Sequence, residues 1–255
     1  MAKLGRWVLL LGLIAVVGYG ALQTWRSKNV SAVQRGWRVA ESKGCFSCHG
    51  PGGRQGMPDP GHGLGDVPDW LPGQMTMYAS TEADLREWIL DGMPKAVRDD
   101  PKQAQLRDKA VILMPAWRGL LTDRELGDLV AYIKAVSNFE KPQDEKAEEG
   151  LRVAAELGCF SCHGPQGRGS MPNARAFKGY IPSWDGADFP ELAANDQEIR
   201  EWIQDGVSQR FQKNPLARFF LERQPIKMPA YKDHISDAQQ DRIVDFIHWL
   251  RQHPY

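Results

Sequence analysis

The sequence predicts a mostly α-helical protein of two similar domains in tandem, preceded by a transmembrane helix. Three observations support this: the chain repeats itself with a fixed step of 114 positions, each repeat shows helical rather than strand periodicity, and a long uncharged run lies near the start. The composition, 42% hydrophobic and 25% charged, is that of an ordinary globular protein. A net charge of zero argues against nucleic-acid binding, which needs a basic patch.

The N-terminal segment, residues 1–28, is expected to be a membrane anchor or an export signal. From Trp7 to Trp25 the chain carries no charged side chain, and Lys3 and Arg6 precede this run. A helix needs about 17–25 apolar residues to cross a bilayer core, and tryptophan suits both interfaces. We predict an uncleaved anchor, and a cleaved signal peptide is the alternative. Both interpretations place the remaining chain across a membrane.

The rest of the chain is an internal duplication, with predicted domains at residues 29–140 and 141–255. Aligning residues 34–136 with 148–250, without a gap, gives 34 identities in 103 positions. The identities are spread through the whole length, which convergence on one motif would not produce. The acidic, proline-bearing stretch 138–150 joins the two copies.

Each copy is predicted to contain three principal helices. The first leads into a cysteine motif and ends at a glycine, Gly44 or Gly158, which is a common helix terminator. The second has apolar residues at i, i+3 and i+4 and stops at Asp-Gly. The last begins with a capping box at Thr122 or Ser236. Because three helices and long loops provide a small apolar core, a further group is expected to fill the centre.

All four cysteines lie in two copies of one phrase, GCFSCHGPGGRQGMP and GCFSCHGPQGRGSMP. C-x-x-C-H is the attachment signal of c-type haem, in which two thiols form thioethers with one porphyrin and the histidine binds its iron. A thioredoxin-type pair would not need the histidine, and a four-cysteine zinc site would not have its pairs so far apart in sequence. The sequence predicts two covalently attached haem c groups. The predicted residues are Cys45, Cys48, Cys159 and Cys162 for attachment, with His49 and His163 as axial ligands.

A methionine is predicted as the second axial ligand of each iron. Two pairs recur at the step of the repeat: Met57 with Met171, shortly after the motif histidine, and Met114 with Met228, much later in each copy. Chain length alone does not exclude Met57 and Met171. The glycine-rich segment that carries them, however, is still on the histidine side of the porphyrin and is badly placed to cross to the opposite face. Met114 and Met228 lie between two helices and precede a proline, so we predict these as the ligands. A methionine ligand raises the reduction potential.

Each copy resembles a class I cytochrome c, with CFSCHG after an N-terminal helix, a late Met-Pro pair and a C-terminal amphipathic helix. Together, over residues 32–252, the copies resemble the membrane-anchored tandem dihaem cytochromes c of bacterial respiratory chains. This resemblance implies two cytochrome c-like domains in which the carbonyl of Pro58 or Pro172 accepts the proton of the ligand histidine. One departure is that the segments 93–113 and 207–227, equal in length, are longer than is common in this class. These segments are predicted either to cover a haem edge or to dock a redox partner.

The predicted function is transfer of single electrons between redox partner proteins, as a relay or as the cytochrome subunit of a respiratory complex. The expected location is the bacterial inner membrane, with the N-terminus cytoplasmic and the haem domains periplasmic. We expect no catalytic residue, nucleic acid or small-molecule substrate, because the chemistry belongs to the cofactor. A dihaem cytochrome c peroxidase-like enzyme, which needs a releasable iron position, and a mainly structural haem subunit are the alternatives.

Overall fold

The computed structural model describes residues 7, 11–21, 24, 30–61, 63–107 and 109–255 and is mostly helical, as predicted. The first copy contains α1 (Ala32–Ser42), α2 (Phe46–His49), a 3-10 turn (Pro51–Gly53), α3 (Gln74–Tyr78), α4 (Glu82–Asp91), α5 (Lys95–Arg98), α6 (Pro101–Arg107) and α7 (Asp123–Val136). The second contains α8 (Glu145–Glu156), α9 (Phe160–His163), a 3-10 turn (Pro165–Gly167), α10 (Phe189–Leu192), α11 (Asp196–Asp205), α12 (Gln209–Lys213), α13 (Pro215–Arg223) and α14 (Asp237–Gln252). Each copy also has an isolated antiparallel bridge, Pro58 with Asp66 and Pro172 with Tyr180.

The predicted N-terminal transmembrane helix is wrong for the part of the chain that the structure describes. Residues 11–21 are helical and exposed. No helix among the described residues is long and apolar enough to cross a membrane. The other residues of the 1–28 segment, apart from 7 and 24, lie outside the described residues.

The predicted capping boxes at the start of the last helix of each copy are confirmed. At α7 the Thr122 hydroxyl accepts a hydrogen bond from the backbone N–H of Glu125 at 3.2 Å, and the Glu125 carboxylate accepts one from the Thr122 N–H at 2.8 Å. Ser236 and Gln239 make the same reciprocal pair at α14. Because these bonds use backbone donors that the helix leaves unpaired, they determine where each helix begins.

Each copy is built on the crossing of its first and last helices, α1 with α7 and α8 with α14. Gly36 lies at the first crossing, and a Cβ atom there would be 1.9 Å from the carbonyl oxygen of Asp128. Gly150 occupies the same position in the second copy, also 1.9 Å from a carbonyl oxygen, that of Arg242. The two helix backbones therefore touch, and glycine is required at the point of contact.

An ion pair flanks each crossing, and its polarity is reversed between the copies. In the first copy Arg35 of α1 makes two bonds to the carboxylate of Asp128 on α7, at 2.8 and 2.6 Å. At the equivalent positions of the second copy, Glu149 of α8 lies 3.7 Å from Arg242 of α14. If α1 paired with α14, or α8 with α7, like charges would face each other. The reversal therefore favours pairing of each first helix with its own last helix.

The double variant Arg35→Glu/Asp128→Arg should remove this discrimination while keeping an attractive pair in the first copy. We expect the free energy of unfolding to change by about 1 kcal/mol or less, and the yield of correctly folded monomer to fall because cross-pairing is no longer repelled. The single variant Asp128→Arg is the control, and it should lose about 2–4 kcal/mol because two arginines then meet at a largely buried position. Urea unfolding and size-exclusion chromatography after refolding measure the two quantities. Equal refolding yields for wild type and double variant would contradict the pairing role.

The two copies contact each other around the ring of Tyr255, which packs against the apolar core of the first copy. The ammonium of Lys134, on α7, lies 4.5 Å from the ring centroid, and the guanidinium of Arg168, in the second copy, lies 3.9 Å from it. Lys134 also pairs with Glu82 and Glu140. Cations over an aromatic ring are favourable when partly buried, so this stack joins the copies.

Candidate functional site

Each C-x-x-C-H motif forms one helical turn, α2 or α9, directly after a longer helix. Gly44 and Gly158 have positive φ angles of 80° and 73° and redirect the chain into this turn. The backbone N–H of His49 donates to the carbonyl of Cys45 at 3.0 Å, so the two cysteines, three positions apart, lie on one face of the turn. All four thiols of the chain are free and partly buried.

In the second copy the motif opens onto a cavity of about 430 Å³, a size typical of ligand pockets. Cys159, Cys162 and His163 line it, and so does Met228, which is distant from them in the sequence. The remaining wall is largely apolar and includes Trp184, Phe189, Trp202, Ile203, Phe220 and Tyr231. The structure thus brings the predicted attachment residues and the predicted ligands of this copy around one space.

A proline carbonyl orients the ring of each motif histidine. Nδ1 of His49 lies 2.7 Å from the carbonyl oxygen of Pro68, and Nδ1 of His163 lies 3.4 Å from that of Pro182. Such a partner takes the proton on Nδ1 and leaves Nε2 for a metal. Burial lowers the pKa of His163 to about 4 and also lowers the pKa of His49. Both rings are therefore neutral near pH 7, which is the form that binds iron.

These prolines are not the predicted ones. The resemblance implies Pro58 and Pro172 for this role, which is wrong because the carbonyls beside the two histidines are those of Pro68 and Pro182. Pro58 and Pro172 lie instead in the antiparallel bridge of each copy. The bridge turns the chain back, so that Pro68 and Pro182, ten residues later, reach the histidine. Both also recur at the step of the repeat, two residues before a recurring tryptophan, and this is the signal that points to them.

Met114 and Met228 lie in loops that are hydrogen-bonded to the end of an earlier helix of the same copy, α4 for Met114 and α11 for Met228. Three residues after each methionine, a backbone N–H donates to that helix at 3.1 Å in the first copy and 3.0 Å in the second. Gly92 and Gly206 end these helices with φ angles of 72° and 74°. A Cβ atom at either glycine would be 2.5 or 2.4 Å from the methionine carbonyl oxygen. This close approach determines where each methionine lies.

The other recurring methionines lie elsewhere. The side chain of Met57 is 39% exposed, and Met171 lines a separate cleft between the two copies. Met228 lines the cavity that contains His163, and Met114 packs against the apolar core of the first copy. The geometry therefore favours Met114 and Met228 over the near pair as sulfur ligands.

Two other uses of the cysteines do not agree with the structure. Burial raises the pKa of Cys159 to about 11 and also raises the pKa of Cys45, whereas reactive redox thiols have lowered pKa values. Among the described residues, which include every cysteine, no three His, Cys, Asp or Glu side chains are grouped to hold a metal ion. A zinc site shared by the two motifs is therefore not formed.

The long segments 93–113 and 207–227 each contain two short helices, α5 and α6 in the first copy and α12 and α13 in the second. In the second copy these helices contribute one wall of the cavity through Phe211, Phe220 and Leu221. This placement agrees with the expectation that the segment covers an edge of the bound group.

The residues around the cavity fit a haem c group. Paired thiols, a neutral histidine oriented by a carbonyl, a thioether from a distant loop and apolar walls are the donors and surroundings that this group requires. The same residue types recur in the first copy at the step of the repeat. A helical domain with such a site defines the class of c-type cytochromes.

Comparison with known families leads to the same class. Residues 31–133 match the family model for subunit III of cbb3-type cytochrome c oxidase, and residues 147–251 match the family model for cytochrome c. Neither a curated protein nor a solved structure matches the chain. The chain therefore contains two cytochrome c-type domains, which support a haem electron-transfer function and imply covalently bound haem c.

Proposed function

We propose that the chain carries two haem c groups, one in each copy, and passes single electrons between redox partner proteins on the periplasmic side of a bacterial inner membrane. The observation that carries this proposal is the meeting of Cys159, Cys162, His163 and Met228 around one cavity. Haem, when bound, supplies the reversible one-electron couple.

The residues of the chain hold, orient and enclose the group. The thiols would attach it, and the carbonyls of Pro68 and Pro182, which lie beside Nδ1 of the two histidines, leave Nε2 of each ring available to bind its iron. A histidine and a methionine would together supply both protein ligands of a bound haem iron, and no outside ligand would then need to reach the metal. This argues against the peroxidase-like alternative, which needs an open position. The apolar wall excludes water and so disfavours the extra charge of the oxidised state.

Two further observations support a respiratory role and a periplasmic location. The first copy matches the family model for subunit III of cbb3-type oxidases. This match supports the proposal that the chain acts as an electron relay or as the cytochrome subunit of a respiratory complex. The start of the sequence, residues 1–28, is basic and then apolar, which is the pattern of export segments.

Intact mass and a redox titration of the protein, purified from a host that attaches haem c, test this proposal. We expect a mass that exceeds the polypeptide by two haem groups, reversible one-electron reduction of both, and no high-spin absorption. The variant Cys159→Ala/Cys162→Ala should keep one haem, and Cys45→Ala/Cys48→Ala should keep the other, because each thiol pair serves its own copy. A wild-type mass with fewer than two haems, or no reversible reduction, would contradict the proposal.

A further inference from the structure

The second copy concentrates its exposed apolar side chains at the mouth of the haem cavity. Within residues 147–255, all of which the structure describes, the large hydrophobic side chains that stay exposed are Phe177, Leu216, Phe219 and Ile226, with exposed fractions of 50, 62, 47 and 39%. We call these four residues the mouth patch. Three of them line the cavity, and Phe219 lies beside the cavity residue Phe220. A contiguous exposed apolar cluster marks an interaction site.

The mouth patch is held in place by its own contacts. The ring of Phe220 is centred 5.2 Å from that of Phe177 and 5.3 Å from that of Phe219, both edge to face. The side-chain amide of Asn173 donates to the carbonyl of Ile226 at 2.9 Å and accepts from its N–H at 3.2 Å. These contacts join α13 to the loop that carries Phe177. A preformed surface loses less conformational entropy when a partner binds.

A basic rim accompanies the mouth patch. The segment 207–227 contains five basic residues and one acidic residue, a net charge of +4. Its exposed basic residues include Lys213, Arg218, Arg223 and Lys227. The Arg223 guanidinium lies 3.7 Å over the ring of Phe219, and Lys227 borders the cavity. An apolar centre beside a positive rim is complementary to a protein that surrounds its own contact site with carboxylates.

The first copy differs at the same positions. Three members of the mouth patch correspond there to Gly63, Lys102 and Gln105. The segment 93–113 has five basic residues against three acidic ones, so its net charge is +2. The aromatic and strongly basic character therefore belongs to the second copy alone, although both copies carry the haem motif. If these aromatic and basic residues served only to hold haem, both copies would need them.

We infer that the mouth patch and its basic rim are the docking surface through which the haem of the second copy exchanges electrons with an acidic electron-carrier protein. This inference rests on the proposed function. The positive rim steers the carrier during encounter, and the apolar contact brings the two cofactor edges together. With haem c bound in the second copy, one electron would pass from the reduced haem to the oxidised centre of the carrier, and no bond or proton would move.

Stopped-flow oxidation of the reduced two-haem protein tests this inference, with an acidic blue-copper protein and a basic mitochondrial-type cytochrome c as probes. The variant Lys213→Glu/Arg218→Glu should lower the second-order rate constant with the acidic probe about tenfold at low ionic strength and raise it with the basic probe. Both differences should shrink at high ionic strength, because salt screens exposed charges. The variant Phe219→Ala should lower the rate with the acidic probe at every ionic strength.

The variant Lys102→Glu/Lys109→Glu is the matched control, because it makes the same change of charge on the segment of the first copy. It should alter either rate less than about twofold. Equal effects of the two double variants, or no effect of Lys213→Glu/Arg218→Glu, would overturn the docking surface. A redox titration separates this failure from that of the proposed function. If both haems are reduced reversibly but the Lys213→Glu/Arg218→Glu variant reacts at the wild-type rate, only the docking surface is refuted. If no haem is reduced reversibly, the proposed function is refuted as well.

Discussion

Replacing Met228 by alanine is expected to change the haem of the second copy alone. Removal of the sulfur ligand should lower the reduction potential of that haem, because a methionine ligand raises the potential. The far-red absorption band of the oxidised protein, which reports methionine–iron bonds, should fall to about half, because one of two such bonds is lost. A spectrum of the oxidised protein and a potentiometric titration measure these changes.

The matched control is Met171→Ala, which removes the methionine that recurs in the cysteine motif itself. Met171 lines the cleft between the copies and not the haem cavity, so the band and both potentials should stay unchanged. Met114→Ala should reproduce the effect of Met228→Ala on the other haem. Loss of the band in Met171→Ala together with its retention in Met228→Ala would reverse the assignment.

Replacing Gly36 by alanine is expected to destabilise the first copy by about 3 kcal/mol, a large part of the stability of a typical domain. The added Cβ would lie 1.9 Å from the carbonyl oxygen of Asp128, so α1 and α7 must move apart and the core between them must repack. Gly150→Ala should have a similar effect on the second copy, where the distance is the same. Urea unfolding, followed by circular dichroism, measures the free energy.

Gly127→Ala provides the control for this prediction. Gly127 lies inside α7, and no atom lies within 4 Å of the position of its added Cβ. Alanine there should stabilise the protein by about 0.5–1 kcal/mol, because it loses less backbone entropy in a helix than glycine does. If Gly36→Ala and Gly127→Ala had effects of the same sign and size, the close helix contact would not be what requires Gly36.

Much of the candidate site follows from short-range patterns. A cysteine pair three positions apart and the histidine after it lie on one helical turn, so Cys159, Cys162 and His163 needed no tertiary information. The capping boxes at Thr122 and Ser236 follow in the same way from hydrogen bonds over three residues. The repeat narrowed the choice of the distant methionine ligand, because only two pairs of methionines recur at its step of 114 positions.

Predictions failed where the position of a group depends on the path of the chain between distant points. Pro58 and Pro172 were assigned to the histidines by resemblance, but the antiparallel bridge in each copy puts the carbonyls of Pro68 and Pro182 there instead. The transmembrane helix was inferred from an uncharged run of suitable length. Among the described residues, no helix has the length and apolar character that spanning requires.

The sequence by itself determined the duplication, the helical character, the haem attachment motif and the residue types available to bind iron, because each depends on spacing along one turn or on comparison of one copy with the other. Only the tertiary structure decided which carbonyl meets each histidine, that Met228 shares a cavity with His163, and that Phe177 meets α13 at its mouth. These contacts join residues that are far apart along the chain. They arise when burial and helix packing bring segments together, and no local rule encodes that approach.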